Sequence, residues 1–174
     1  MKKIGTMLLF SFLITGCAQS QPDSNVPKKE VIETSSSQIN VPSFFHLSVL
    51  KDVNWEEAPS FVEGKIPLKG IERKIAMADS SIIANEQNEI MWFFLDPEMP
   101  TGKLSIIALK QGTTTPTPVL FQKETSKQTW TTSNTVGTTV KELPLVMSLP
   151  SSGLWVLNIY VNERYYDQFV INAE

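Results

Sequence analysis

A chain of 174 residues, 41% hydrophobic and 19% charged, holds enough apolar material for one folded domain with appendages, which excludes a wholly disordered protein. Its formal charge is −3, and without Lys2 and Lys3 only 13 basic residues face 18 acidic ones, so no basic surface is left to track a phosphate backbone and nucleic acid is excluded as a partner. A single cysteine excludes an internal disulfide and any paired-thiol metal or redox motif.

The chain opens on Lys2-Lys3, followed from Ile4 to Ile14 by a mostly apolar stretch. That is the length of a signal-peptide core, and it is short of the ~20 residues that an anchoring helix needs to cross a bilayer. Ile14-Thr15-Gly16-Cys17 then resembles the bacterial lipobox: a branched aliphatic residue, a small one, glycine, and the cysteine. The resemblance implies a lipoprotein signal peptide at 1–16, cleavage before Cys17, and a diacylglyceryl thioether on that cysteine. An ordinary secretory signal would leave Cys17 as an unpaired thiol in an oxidising compartment, where it is a liability. Two acyl chains anchor stably where one binds only marginally. The expected location is the extracytoplasmic face of the cell membrane, with the membrane itself as a partner through the lipid.

Residues 17–40 read as the lipidated cysteine and a flexible tether. They are rich in Ser, Gln, Pro and charge, with too few apolar side chains to offset the cost of ordering the backbone. As a coil of roughly 23 residues the tether reaches about 25 Å.

From residue 41 to 174 the pattern changes to short apolar runs between turn residues. "FFHLSVL" (44–50) and "ERKIAMAD" (72–79) are weak strand candidates, with room for one helical turn between Val53 and Phe61. "EIMWFFL" (89–95) is a continuous apolar run whose length and bounding Asn88 and Asp96-Pro97 favour a strand. "KLSIIALK" (103–110) follows after a short polar loop, so the two read as a hairpin. "TPVLFQKE" (117–124) and "LPLVMSLP" (143–150) add two more strands. The clearest signal is "GLWVLNIYVNERYYDQFVIN" (153–172), where Trp155, Leu157, Ile159 and Val161 alternate with their neighbours before a turn at Asn162-Glu163-Arg164. With no long helical periodicity after the leader, the fold class is all-β: an antiparallel β-sandwich of about seven strands, with a small β-barrel as the alternative.

Particular residues carry a family resemblance. Leu149-Pro150-Ser151-Ser152-Gly153-Leu154-Trp155, Leu157, Tyr160-Val161 and the ending "FVIN" are similar to the carboxy-terminal pattern of an uncharacterised immunoglobulin-like domain family found in lipoproteins of Gram-positive spore-forming bacteria. Gly64-Lys65-Ile66, Met91-Trp92 with Phe94, and Gly102-Lys103 match as well, so the resemblance spans roughly residues 60 to 172. Phe93, Leu95 and Asp96 stand where the family often has His, Trp and Gly, and no site built on those residues carries over. The resemblance implies an immunoglobulin-like sandwich at the cell surface and no established activity.

Catalytic chemistry finds little support. His46 is the only histidine and reads as a strand residue, with no cysteine pair or HExxH motif to build a zinc site, and no cofactor is expected. Glu56, Glu57, Asp96 and Glu98 fall near loops and are the candidates for a carboxylate-based hydrolase. Trp92 and Trp155 lie in strong strand patterns and read as core. Trp130 differs: it sits in "ETSKQTWTTSNTVGTTV" (124–140), where an indole among hydroxyls and amides either stacks on a sugar or folds back over the sandwich edge. The function expected is therefore a non-enzymatic, lipid-anchored binding module of the cell envelope, its partner an envelope protein or the cell wall. A carbohydrate-binding domain that uses the Trp130 loop is the alternative.

Overall fold

The computed structural model describes residues 40–122 and 127–174, and every regular element in them but one is a strand. The leader, Cys17 with Ile14, Thr15 and Gly16, and the tether up to residue 39 lie outside the described residues. The strands are β1 (Ser60–Glu63), β2 (Ile66–Ile71), β3 (Ile75–Ala78), β4 (Asn88–Phe94), β5 (Gly102–Lys110), β6 (Thr117–Pro118), β7 (Leu120–Gln122), β8 (Lys127–Thr129), β9 (Thr131–Val136), β10 (Glu142–Met147), β11 (Gly153–Val161) and β12 (Arg164–Ala173). Seven form one sheet in the order β1-β2-β3-β4-β10-β7-β8. The second sheet runs β12-β11-β5-β6, with β9 also paired to β5. All of these strand pairings are antiparallel, and the two sheets stack as a β-sandwich.

Period-two alternation decides what lies between the sheets. Ile90, Trp92 and Phe94 of β4 point inward with Ile75 and Met77 of β3, and meet Leu104, Ile106, Trp155, Leu157 and Ile159 from the other sheet. Trp92 is fully buried, its ring 5.7 Å from that of Phe169. The Trp155 indole donates to Ser151 O at 2.9 Å, which ties the start of β11 to the turn before it. Gly70, inside β2, adopts φ +147°, and a Cβ there would stand 2.6 Å from Ile75 O, so β2 and β3 close only with glycine at this position.

Several expectations need correction. "EIMWFFL" and "KLSIIALK" are both strands, but they do not pair with each other: β4 lies between β3 and β10, while β5 lies in the opposite sheet. The link between them is a corner. Met99 is buried in the inter-sheet core, and Asp96 Oδ1 accepts from the Glu98 N–H at 2.8 Å to turn the chain across. "FFHLSVL" is no strand: Leu47–Asp52 form a 3-10 helix, and His46, exposed, occupies its N-cap position with no side-chain bond to the helix. The Thr/Ser-rich segment read as a loop supplies β8 and β9.

The turn at 162–163 resolves a point that composition left open. Val161 pairs with Arg164, and Asn162 and Glu163 have φ of 52° and 65°, so two positive-φ residues make the type I′ turn that matches the strand twist. Asparagine tolerates this conformation, whereas glutamate is strained in it. Glu163→Gly is expected to stabilise the domain by about 0.5–1 kcal/mol, read as a higher urea midpoint with an unchanged slope.

Candidate functional site

The five-stranded sheet has a second apolar face, turned away from the sandwich core. On it Val156, Asn158 and Tyr160 of β11 lie beside Ile107 and Leu109 of β5 and Val170 of β12. Residues 41–57 cross this face as a strap. Phe45 is buried, and Phe44, Val49, Leu50, Val53 and Trp55 are half-buried against the sheet. Phe44 lies 5.1 Å from the Tyr160 ring and Phe45 6.5 Å from it. The strap's backbone bonds are mostly its own, such as Phe45 N–H to Pro42 O, and its end is pinned where Ala58 N–H donates to Val170 O at 2.8 Å.

Where the strap leaves the sheet it forms one wall of a groove of about 600 Å³. Residues 52–54 and 56–59 face Tyr165 and Asp167–Val170 of β12 across it, and Gly70 and Ile71 of β2 also line it. Val156 and Val170 give it an apolar floor. Its rim is acidic, with Asp52, Glu56, Glu57 and Asp167.

Two lysines balance part of that charge. Lys69 bonds Glu57 at 2.5 Å and Asp79 at 3.2 Å. Burial pulls the Lys69 ammonium down, but bonds to and charges of the two carboxylates outweigh it and hold it above its ordinary value. Lys74 bonds Asp167 at 2.5 Å and sits 4.9 Å above the Tyr166 ring. Burial, then the negative charge of Asp167, pushes the half-exposed Tyr165 phenol up to about 12, so it stays a neutral donor in the groove wall.

Tyr166 lies where the strand register slips between Ile159 and Tyr160, and its O–H donates to Asp96 Oδ2 at 2.7 Å. This bond fastens β12 to the β4–β5 corner. It also lowers the Asp96 carboxyl, the Tyr166 bond first and the Glu98 N–H second.

Of the sequence-derived candidates, the groove brings together Glu56 and Glu57. Asp96 is committed to Tyr166 and the corner, and Glu98 is exposed on the same turn. Trp130 is not presented to solvent. It is 8% exposed and packs with Phe45, Ile107, Leu109 and Tyr160, so its ring offers no open face for a sugar. Its carbonyl accepts from Ile106 N–H at 2.9 Å, which binds the residue into the sheet. Asp52, Asp167 and Gln168 escaped notice because the groove joins positions more than a hundred residues apart. No group of three His, Cys, Asp or Glu able to hold a metal ion occurs among the described residues. No helix among them is long and apolar enough to cross a membrane.

The fold defines an all-β sandwich of two antiparallel sheets with a groove along one side. The comparisons narrow this. The chain belongs to a family described as a domain of unknown function (DUF4871), which matches residues 44–171 and so includes most of the strap and both walls of the groove. A crystal structure of a "putative lipoprotein" from Bacillus anthracis is 81% identical, covers 80% of this chain and 100% of its own, and superposes with a TM-score of 0.76. No curated protein matches.

Trp130→Ala is expected to cost about 3–5 kcal/mol, seen as a lower urea midpoint, because it removes a large buried ring from under the strap. A second expectation concerns acid. A carboxyl lower in the folded than in the unfolded chain stabilises above the unfolded pKa of about 3.9, and that contribution is lost as pH falls through the folded value. Urea unfolding of wild type and Asp96→Asn is therefore expected to differ by about 1 kcal/mol at neutral pH and to converge as pH falls below the unfolded value.

Proposed function

We propose that the chain is a lipid-anchored, extracytoplasmic binding module of the cell envelope that carries out no reaction of its own. The observation that carries this reading is Ile14-Thr15-Gly16-Cys17 behind a short apolar core and a positive start. The name given to the 81% identical protein from Bacillus anthracis supports it, as does the domain itself, a β-sandwich with an open groove beside β12. The carboxylates flagged for hydrolysis do not converge as a set, since Asp96 is tied to Tyr166 while Glu57 is tied to Lys69. Trp130 gives the carbohydrate alternative no exposed platform.

Metabolic labelling with a fatty acid in a Gram-positive host tests the anchor. Label is expected in the wild type and absent in Cys17→Ala, with the variant shifting from the membrane fraction to the medium; equal labelling of the two would overturn the assignment. Cross-linking on intact cells tests the binding role. Adducts of defined mass are expected with the wild type and are expected to weaken when Cys17→Ala frees the protein from the surface.

A further inference from the structure

Most of the strap is held to the domain without a hydrogen bond. Its main-chain bonds, Phe45 N–H to Pro42 O, Val49 N–H to His46 O and Val53 N–H to Leu50 O, run within it, and so does the side-chain bond from Asn54 Nδ2 to Glu56. Among the described residues no hydrogen bond or ion pair joins residues 41–56 to a strand. The fixed points come only afterwards, at Glu57, which bonds Lys69, and at Ala58, whose N–H donates to Val170 O.

The face beneath is imperfectly served by this cover. Tyr160 OH, Trp130 Nε1 and Asn158 Oδ1 are buried there without a partner. Each has been taken from water with no hydrogen bond in return, so the apolar contacts that hold the strap down work against three polar groups that its release would rehydrate. The ladders joining β5, β11 and β12 take no part in that balance, since their bonds are made whether the strap lies down or lifts. A segment held by side-chain burial alone opens more readily than the hydrogen-bonded strands under it.

The strap is also the first part of the domain reached from Cys17. Phe44 and Phe45, near the end that leads back to that cysteine, lie against Tyr160. Load arriving along the chain meets apolar contacts one after another, as when a tape is peeled, and meets a main-chain bond to a strand only at Ala58.

We propose that the strap is a releasable cover, peeled from Val41 to Glu56 by tension between the lipid anchor and a partner that holds the domain, while both sheets stay folded. Release bares the outer face of β5, β11 and β12 with Tyr160 and Trp130 on it. The proposal rests on the reading of the chain as an anchored binding module and assigns to that anchor a control over which surface the domain shows.

The test pulls the chain from Cys17 to Glu174 in optical tweezers, with one DNA handle on the unlipidated Cys17 thiol and the other on the C-terminus. A first step at low force is expected, adding roughly 50 Å at about 3.4 Å per residue released, ahead of a separate unfolding of the sheets. With the handle moved to the exposed position 63, as Glu63→Cys in a Cys17→Ala chain, the strap lies outside the loaded segment and the first step is expected to vanish. Tyr160→Phe deletes the unpartnered hydroxyl alone, so the strap is expected to lift about fivefold less often at a given force, the reverse of what deleting a bonded hydroxyl does. Phe45→Ala is expected to lift at least tenfold more often. The second step follows release and is expected at the same force in wild type and Phe45→Ala, which shows that the sheets are intact.

Unfolding in a single step from Cys17, a first step that persists with the handle at position 63, or a strap that lifts more often in Tyr160→Phe would each overturn the proposal. A missing first step alongside fatty-acid label on Cys17 in cells overturns the releasable cover and leaves the anchored reading standing. A first step without that label removes the anchor, and with it the tension that the proposal requires.

Discussion

The double burial of β5 and β11 is the constraint from which the rest of the domain follows. Leu104 to Leu109 are buried without a break, and so are Trp155 to Val161, so the five-stranded sheet presents apolar side chains on both faces. An antiparallel sheet usually leaves one face to water. Here one face is met by the seven-stranded sheet. The other has no third sheet, and the strap of residues 41–57 covers it with aromatic and branched side chains. Each half-buried side chain of this kind contributes on the order of 1 kcal/mol, so the strap stabilises by number rather than by any single contact.

A cover made from one irregular segment cannot match a sheet face atom for atom. Asn158 Oδ1, Tyr160 OH and the Trp130 Nε1 lie beneath it without partners, and burial raises the Tyr160 phenol above its ordinary value. Where the strap turns away at Asp52 to Pro59 it leaves the groove, which is thus a by-product of covering the sheet. The same strap explains Trp130. An indole in a hydroxyl-rich segment looked adaptable, but Phe45 and Tyr160 claim it for the outer core.

How much of this was legible in the sequence depended on strand length. β11 and β12 alternate over nine and ten residues, long enough for period two to declare itself and for the turn at Asn162 to be placed. β4 and β5 were legible as strands, but their sheet assignment was not. A seven-residue link with Asp96, Pro97, Pro100 and Thr101 has the composition of a hairpin loop, and only the burial of Met99 makes it a corner. β1 and β2 were missed because Gly64, Pro67 and Gly70 interrupt the pattern, and β8 and β9 because Thr and Ser pair with neighbours without an apolar face. Glu56 and Glu57 were visible as loop carboxylates. Their neighbours Asp167 and Gln168 sit on β12, and no local pattern reports a proximity that the sandwich creates.

The outer margin of β12 has one more consequence. Val170 O takes the Ala58 N–H, Gln168 N–H turns to Asp167 Oδ1, and Glu174 exchanges bonds with Ile82 and Ala84. The main-chain groups that would let another chain add itself as a neighbouring strand are thus spent at three points within the molecule. Crowded copies of the domain have little to zip together along this margin. Whatever meets this flank has to be read through side-chain shape and charge, a language in which selectivity is written residue by residue and not granted to any extended backbone that drifts past.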